Sequence, residues 1–484
     1  MLDLMHYTPE HWLELGRLLD SPAWQEVLHS GLVDEVKAGR IEPGHTRDFI
    51  DSVVGPLLAF NRERVKAGIA DGCRDEERLF TELARWPDHL RGDDARIAFL
   101  GLNVTADCNL DPRCAYCNQP FVPSSVDLDG WKGIVAEATR NIDGGGPYIY
   151  LTGGEPLVLG EAIWGDKGIV RFATERGAGV NINTNALLLT PEVALRLIKA
   201  GLRILHISLD TADPVLQCEL RGGEGLERIL QGIYNVQLAR ELVGVFYPLI
   251  HTNCVLTNKN LDLFPQLFAF LLARHKQTVD RDDPLYNDLF PHVIPVGGSS
   301  NAGLRPSAEE FRRFYQEVWA EVCRVWADYQ DRLGMPQEKR GALFGYFSNP
   351  FLRVEHEGGL EAYVLASAEA QYGKLALSQR CYVAPTQAAI TSDGYQHYCG
   401  AHAIHRILPI GNVCERGIHD SIREGVVGLE ALPREEHCAG CAMATLYINQ
   451  ATESRLKKEL RKLLEGTGDA PTPAATDEKA AYND

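Results

Sequence analysis

Between residues 96 and 298, short β-type runs alternate with helical stretches, and this alternation constrains the fold more than any other feature of the chain. The runs are RIAFLGLNVT (96–105), YIYLTGG (148–154), GVNINTN (179–185), RILHISLD (203–210), PLIHTNCVLT (248–257) and PHVIPVGG (291–298). Helical spacing of apolar residues marks DGWKGIVAEATRNI and GLERILQGIYNVQLAREL between them. Thr190 before Pro191 and Glu192, and Ser307 with Glu310 three residues on, read as helix starts. Six strands separated by helices require right-handed crossovers and a parallel sheet. Sheets of that kind place ligands at the carboxyl ends of their strands.

The flanking segments follow other rules. Residues 1–95 carry apolar side chains at helical spacing, as in PEHWLELGRLL and WQEVLHSGLVDEV, and are expected to form a helical N-terminal extension without strands. Residues 96–335 hold the sheet and end in a long helix over 307–333. Residues 336–465 are expected to form a small C-terminal domain; the stretch 341–445 is rich in glycine and aromatics and holds five cysteines. Residues 466–484 lack apolar periodicity and read as a disordered tail.

Charge and hydropathy narrow the function classes. Asp and Glu number 66 against 48 Lys and Arg, a formal net charge of −18, which disfavours nucleic acid as a partner. No run of about 18 apolar residues is present, so no membrane span is expected. The acidic, amphipathic start has no basic n-region, which points to the cytoplasm. Thiols stay reduced there, so clustered cysteines read as metal or redox sites.

Cys108, Cys114 and Cys117 follow the first run as C-x5-C-x2-C. Three thiolates are one too few for a structural zinc site, which wants four ligands. On a cubane iron–sulfur cluster they leave the fourth iron open for a chelating ligand. The stretch resembles the cluster loop of the radical S-adenosylmethionine (SAM) superfamily, whose usual spacing has two residues fewer between the first pair. LTGGEP (151–156) resembles that family's GGE motif, with Gly153, Gly154 and Glu155 placed toward the SAM ammonium. NTNA (183–186) supplies Asn183 and Asn185, ISLD (207–210) supplies Ser208 and Asp210, and LRGG supplies Arg221 for the SAM carboxylate. By the same resemblance, Tyr116 fits the aromatic position that packs near adenine. The resemblance implies a partial (β/α)6 TIM-like barrel, a [4Fe-4S] cluster with an open iron site, bound SAM, and a flavodoxin or ferredoxin-type electron donor.

Cys381 and Cys399 frame Gly394 as C-x12-G-x4-C, and CAGC supplies Cys438 and Cys441. The pattern resembles the SPASM or twitch auxiliary-cluster domain and implies one auxiliary [4Fe-4S] cluster; Cys414 is an alternative ligand. Four tetrahedral thiolates on zinc is the competing reading of the same spacing. Cys254 stands on a strand that should end near the pocket and is a candidate hydrogen-atom donor. The fifteen histidines show no metal motif such as H-E-x-x-H, and HAIH (402–405) reads as a surface pair.

The family resemblance implies reductive cleavage of SAM to a 5′-deoxyadenosyl radical, which abstracts hydrogen from a substrate C–H bond. The expected outcome is oxidative tailoring of a ribosomal peptide or a small-molecule natural product. A redox-neutral epimerase or mutase and a non-catalytic zinc-stabilised binding protein are the alternatives. The strand ends would be capped by the C-terminal domain and by residues 1–95.

Overall fold

The computed structural model describes residues 5–46, 48–86, 96–119, 122–140, 145–222, 225–274, 277–278, 289–297, 299–332, 334, 337, 340, 359–376, 380–383, 386–422, 434–441 and 443–466. The tail beyond residue 466 and the junction between the sheet-bearing segment and the C-terminal domain lie outside them.

The six expected runs form six parallel strands: β1 (Phe99–Thr105), β2 (Tyr148–Gly153), β3 (Gly179–Thr184), β4 (Ile204–Ser208), β5 (Leu249–Leu256) and β6 (Phe290–Pro295). They pair in sequence order. Side chains alternate across each strand. Leu100, Leu102, Ile149, Leu151, Val180, Ile182, Leu205 and Ile207 join the main apolar core, in which the covering helices also take part. The opposite face carries Asn103, Tyr148, Tyr150, Asn181, Asn183, His206, His251 and Asn253, so the barrel interior is polar and aromatic.

The sheet does not stop at β1. Residues Gln387–Ile390 (β7) pair parallel with β1, and Tyr395–His397 (β8) and Gly411–Asn412 (β9) continue antiparallel. The order is β9-β8-β7-β1-β2-β3-β4-β5-β6. Gly394 makes the β7–β8 turn at φ +84°, where a Cβ would meet Asn412 Oδ1 at 2.8 Å.

Among its described residues the N-terminal segment is helical, apart from a two-residue ladder of Met5–His6 with Gln277–Thr278 and an isolated bridge of Thr46 with Gly146, which helical periodicity does not reveal. Helices Pro9–Leu19, Pro22–His29 and Leu32–Gly39 lie on the outer helical layer: His11 bonds Gln237 at 2.8 Å, Trp24 donates to Asn235 at 2.9 Å, and Lys199 pairs with Glu35 at 2.8 Å. The chain then crosses the amino ends of the strands. Gly146 N–H donates to the His45 carbonyl, and Arg203 donates to that of Gly44. Residues 9–46 thus cover the outer layer and the end opposite the carboxyl rim, which corrects the expectation of a cap there. Helices Phe49–Ala70 and Glu76–Leu83 form a second small core with Tyr382 and the helix Met443–Leu464. The expected helix over 307–333 is interrupted by a π-helical turn, Phe314–Val318, between Ala308–Arg313 and Trp319–Arg332. Its Ser307–Glu310 capping box forms as expected.

Candidate active site

The cysteine loop leaves the carboxyl end of β1 and is clamped from below. Gly154 N–H donates to the Thr105 carbonyl at 2.8 Å and Glu155 N–H to that of Asp107 at 2.7 Å. Gly153, at φ +130°, and Gly154 leave no room for a side chain: a Cβ would lie 2.2 Å from the Thr105 carbonyl oxygen and 1.9 Å from that of Asp107. The glycines of the GGE motif therefore let two strand ends touch. The longer loop has its own seat. Gly222, at φ +67°, faces the Pro112 carbonyl, where a Cβ would come within 2.0 Å, and Ala115 N–H donates to the Leu220 carbonyl at 2.8 Å. The two extra residues between Cys108 and Cys114 are thus accommodated against the end of helix Pro214–Arg221.

Cys108, Cys114 and Cys117 are all partly accessible. Cys117 N–H donates to the Cys114 carbonyl at 3.1 Å in a tight turn. Burial raises the pKa of the Cys108 and Cys114 thiols above the ordinary value, and the charge of Cys117 adds to both shifts. The three thiols therefore share one electrostatic environment. Among the described residues no three cysteine sulfurs lie within 4.8 Å of one another. Tetrahedral zinc with bonds of about 2.3 Å needs sulfurs about 3.8 Å apart, closer than these three all stand.

Around this loop the expected site residues bond to one another. Glu155 is 1% exposed and accepts from Leu157 N–H at 3.1 Å, Thr184 Oγ1 at 2.8 Å and Asn185 N–H at 2.7 Å. Burial still pushes its carboxyl up to about 7, against those three donors. Asn185 donates to Asn109 at 2.7 Å, and Asn183 accepts from Asn253 at 2.8 Å. Ser208 is buried at the end of β4.

Asp210 and Arg221 form a buried bidentate pair at 2.8 and 3.0 Å. Asp210 also accepts from the Tyr116 hydroxyl and from Val255 N–H. The Tyr116 ring lies 5.4 Å from the guanidinium. One edge of the Arg221 guanidinium is thus occupied by Asp210, so its principal visible work is to seat the loop and β5 together. Three asparagines that no motif marked complete the rim. Asn301 donates to the Tyr116 carbonyl at 3.0 Å and to Asn118 at 2.7 Å, Asn118 donates to Gly297, and Asn260 donates to the Asp210 carbonyl.

Cys254 lies apart. It is fully buried in the apolar core on the strand face opposite Asn253, its Sγ 3.5 Å from the Asp210 carbonyl. A thiol on that face does not meet the barrel interior, and this placement gives no support to a hydrogen-donor role.

In the C-terminal region, burial and then the charges of Cys381 and Cys438 push Cys399 up to about 12. Cys441 N–H donates to the Cys438 carbonyl at 3.1 Å. Cys414 is exposed, and its charged neighbours are Asp127 and Glu415 rather than the other cysteines. His402 corrects the surface-pair reading of HAIH: it is 4% exposed, with its ring nitrogen 3.1 Å from the His437 carbonyl. The remaining correction is larger. His206, His251 and His292 converge inside the barrel, a grouping that the search for local histidine motifs missed. Among the described residues no helix is long and apolar enough to cross a membrane.

Residues 102–253 match the family described as the radical SAM superfamily. The chain is 30% identical to a GTP 3′,8-cyclase of Cyanothece sp., over 63% of this chain and 81% of that protein. It is 28% identical to the mycofactocin maturase MftC of Mycolicibacterium smegmatis, over 49% of this chain and 55% of the maturase. The chain spans about half the length of the maturase and of other curated relatives it matches. Among solved structures, Streptococcus suis SuiB bound to S-adenosylmethionine is similar at 18% identity, covering 80% of this chain and 83% of that one, with a TM-score of 0.44.

Proposed function

Because the chain belongs to the radical SAM superfamily, with the [4Fe-4S] cluster and SAM that membership entails, we propose that it oxidatively tailors a ribosomal peptide or a small molecule at a C–H bond. The observation that carries this reading is the meeting of Cys108, Cys114 and Cys117 on one clamped loop at the carboxyl rim of a parallel barrel. When bound, the cluster and SAM supply one-electron cleavage of the sulfonium and hydrogen abstraction; the protein supplies position and enclosure. Cys108, Cys114 and Cys117 would hold the cluster. Gly153 and Gly154 bring the loop against β2, Glu155 ties β2 to β3, and this motif would receive the SAM ammonium. Tyr116, Asp210 and Arg221 fix the far side of the loop, while Asn183, Asn185 and Ser208 line the strand ends. Cys381, Cys399, Cys438 and Cys441 would hold one auxiliary [4Fe-4S] cluster, which favours net oxidation over a redox-neutral outcome. A flavodoxin or ferredoxin-type protein would supply the electron.

The maturase relative favours a peptide, and the cyclase relative places a nucleoside triphosphate among the small molecules to be tried. The test is anaerobic reconstitution followed by incubation with SAM and dithionite. Wild type is expected to release 5′-deoxyadenosine and to hold about eight irons per chain, two cubanes of four. Cys117→Ala is expected to lose the product by at least ~10³-fold, the scale on which removal of an essential catalytic group is felt. Wild-type protein that binds zinc without acid-labile sulfide and forms no 5′-deoxyadenosine would sink the proposal.

A further inference from the structure

One layer beneath the rim, the barrel interior gathers three imidazoles from three neighbouring strands. His206 on β4 and His251 on β5 are register partners, and His292 on β6 lies opposite Asn253, two residues further along β5. The ring centroids are 5.5, 5.2 and 5.0 Å apart, and one ring nitrogen from each lies within 4.8 Å of the other two. His206 sits two residues before Ser208, which puts this layer roughly 7 Å below the rim at about 3.3 Å per residue.

We propose that His206, His251 and His292 hold one divalent transition-metal ion of the zinc class, with an open coordination position facing the barrel interior. The donor set is the first argument. Imidazole nitrogens suit zinc and its neighbours, and three protein ligands with a vacant fourth position describe a site made to bind something further. Tetrahedral bonds of 2.0–2.1 Å place ligand nitrogens about 3.3 Å apart. A His292 and a His251 ring nitrogen already stand at 3.0 Å, and the three rings offer nitrogens all within 4.8 Å of one another. The second argument is polar accounting. The Nδ1 of His206 is buried and has no hydrogen-bond partner among the described residues, although its Nε2 lies 3.1 Å from the Tyr148 hydroxyl. A buried nitrogen of that kind calls for an occupant, and the tyrosine is the sort of outer partner that orients a metal-bound imidazole.

Three neutral ligands leave the charge of the ion uncompensated in a buried site. The fourth ligand is therefore an anionic oxygen: hydroxide, or the carboxylate or phosphate of a substrate in the chamber. His292, the half-buried member of the triad, lines that chamber.

The experiment uses the full chain with its iron–sulfur clusters reconstituted, so that the cysteines are occupied, then freed of loose metal and dialysed against Zn(II). Zinc and iron per chain are counted by elemental analysis, and the zinc ligands are read by X-ray absorption. The expected result is about one zinc per chain with a nitrogen and oxygen shell. In His251→Gln and His292→Gln the affinity should fall at least ~100-fold, the upper range for loss of even an outer-shell partner, with iron content unchanged. Should the fully buried His251 variant fail to fold, His292→Gln, at the partly buried position, decides the matter. Wild type that retains no zinc, zinc with a sulfur shell, or zinc equally well held in the variants would overturn the proposal. The iron count and 5′-deoxyadenosine release are measured on the same samples, so failure of the zinc site is distinct from failure of the radical chemistry.

Discussion

The rim of the barrel and the layer immediately beneath it are both polar, but they are built differently. At the rim the charged groups are mutually engaged: Glu155 takes three donors, Asp210 takes Tyr116, Arg221 and a backbone N–H, and Asn301 ties the loop to the end of β6. One layer down, a buried His206 nitrogen has no partner among the described residues, and Phe99, Tyr148 and Tyr150 form a stacked ladder at 5.6 and 6.4 Å. The contrast separates scaffold from receptor. A rim that satisfies itself is rigid and holds a loop in place, whereas an interior with unmet polar capacity is suited to an occupant. Substitutions at the rim should therefore cost far more stability than substitutions in the interior.

The largest effect is expected from Gly154→Ala. The new methyl would lie 1.9 Å from the Asp107 carbonyl oxygen, a backbone atom that cannot move without displacing the cysteine loop. A loss beyond about 4 kcal/mol, in the range reserved for overpacking and strain, is expected in denaturant titration. Iron content should fall with it. Gly133→Ala is the control, since it lies inside the helix Leu128–Ala138 and its Cβ meets nothing within 4 Å. If Gly154→Ala cost no more than the control, the tight seat of the loop would be disproved.

How much of this was legible in the sequence divides along the same line. The rim could be read because its residues sit in short motifs at strand ends: GGE, NTN, ISLD and the cysteine loop each announce themselves locally. The parallel order followed from alternation of strand and helix. What sequence could not supply was register between strands about 40 residues apart. His206, His251 and His292 lie in RILHISLD, PLIHTNCVLT and PHVIPVGG, one histidine per strand. Nothing in any single strand says that they meet, because convergence depends on inter-strand stagger. The same ignorance of register hid the parallel pairing of β7 with β1, which joins the C-terminal region to the barrel sheet. Arg221 was visible as a cation near the site, but its bidentate engagement by Asp210 needed coordinates.

A smaller rim effect should appear as a pH dependence. Burial raises Glu155 from 4.5 to about 7 in the folded chain. Between those values the native state binds the proton and the unfolded state does not, so stability falls as pH rises. The full span amounts to roughly 3 kcal/mol. Denaturant titrations near pH 5 and pH 8 should show that loss in wild type and a much flatter profile in Glu155→Gln. Equal slopes in the two proteins would mean that the three donors keep Glu155 ionised throughout, and the rim would be better matched to charge than its burial implies.

The smallest stability effect is expected inside the barrel, from Tyr148→Phe. The ring and its stack on Phe99 remain, and only the hydroxyl 3.1 Å from His206 Nε2 is removed. A single neutral hydrogen bond contributes about 1 kcal/mol, so thermal and denaturant midpoints should move little. Zinc affinity should respond more strongly, because the orientation of His206 then depends on packing alone; a fall of ~10-fold is the expected scale for losing an outer-shell partner. A variant with nearly wild-type stability and weakened zinc would mark Tyr148 as a positioning residue for the interior. If Tyr148→Phe lost several kcal/mol, the interior would be as tightly interlocked as the rim, and the division between scaffold and receptor would have to be abandoned.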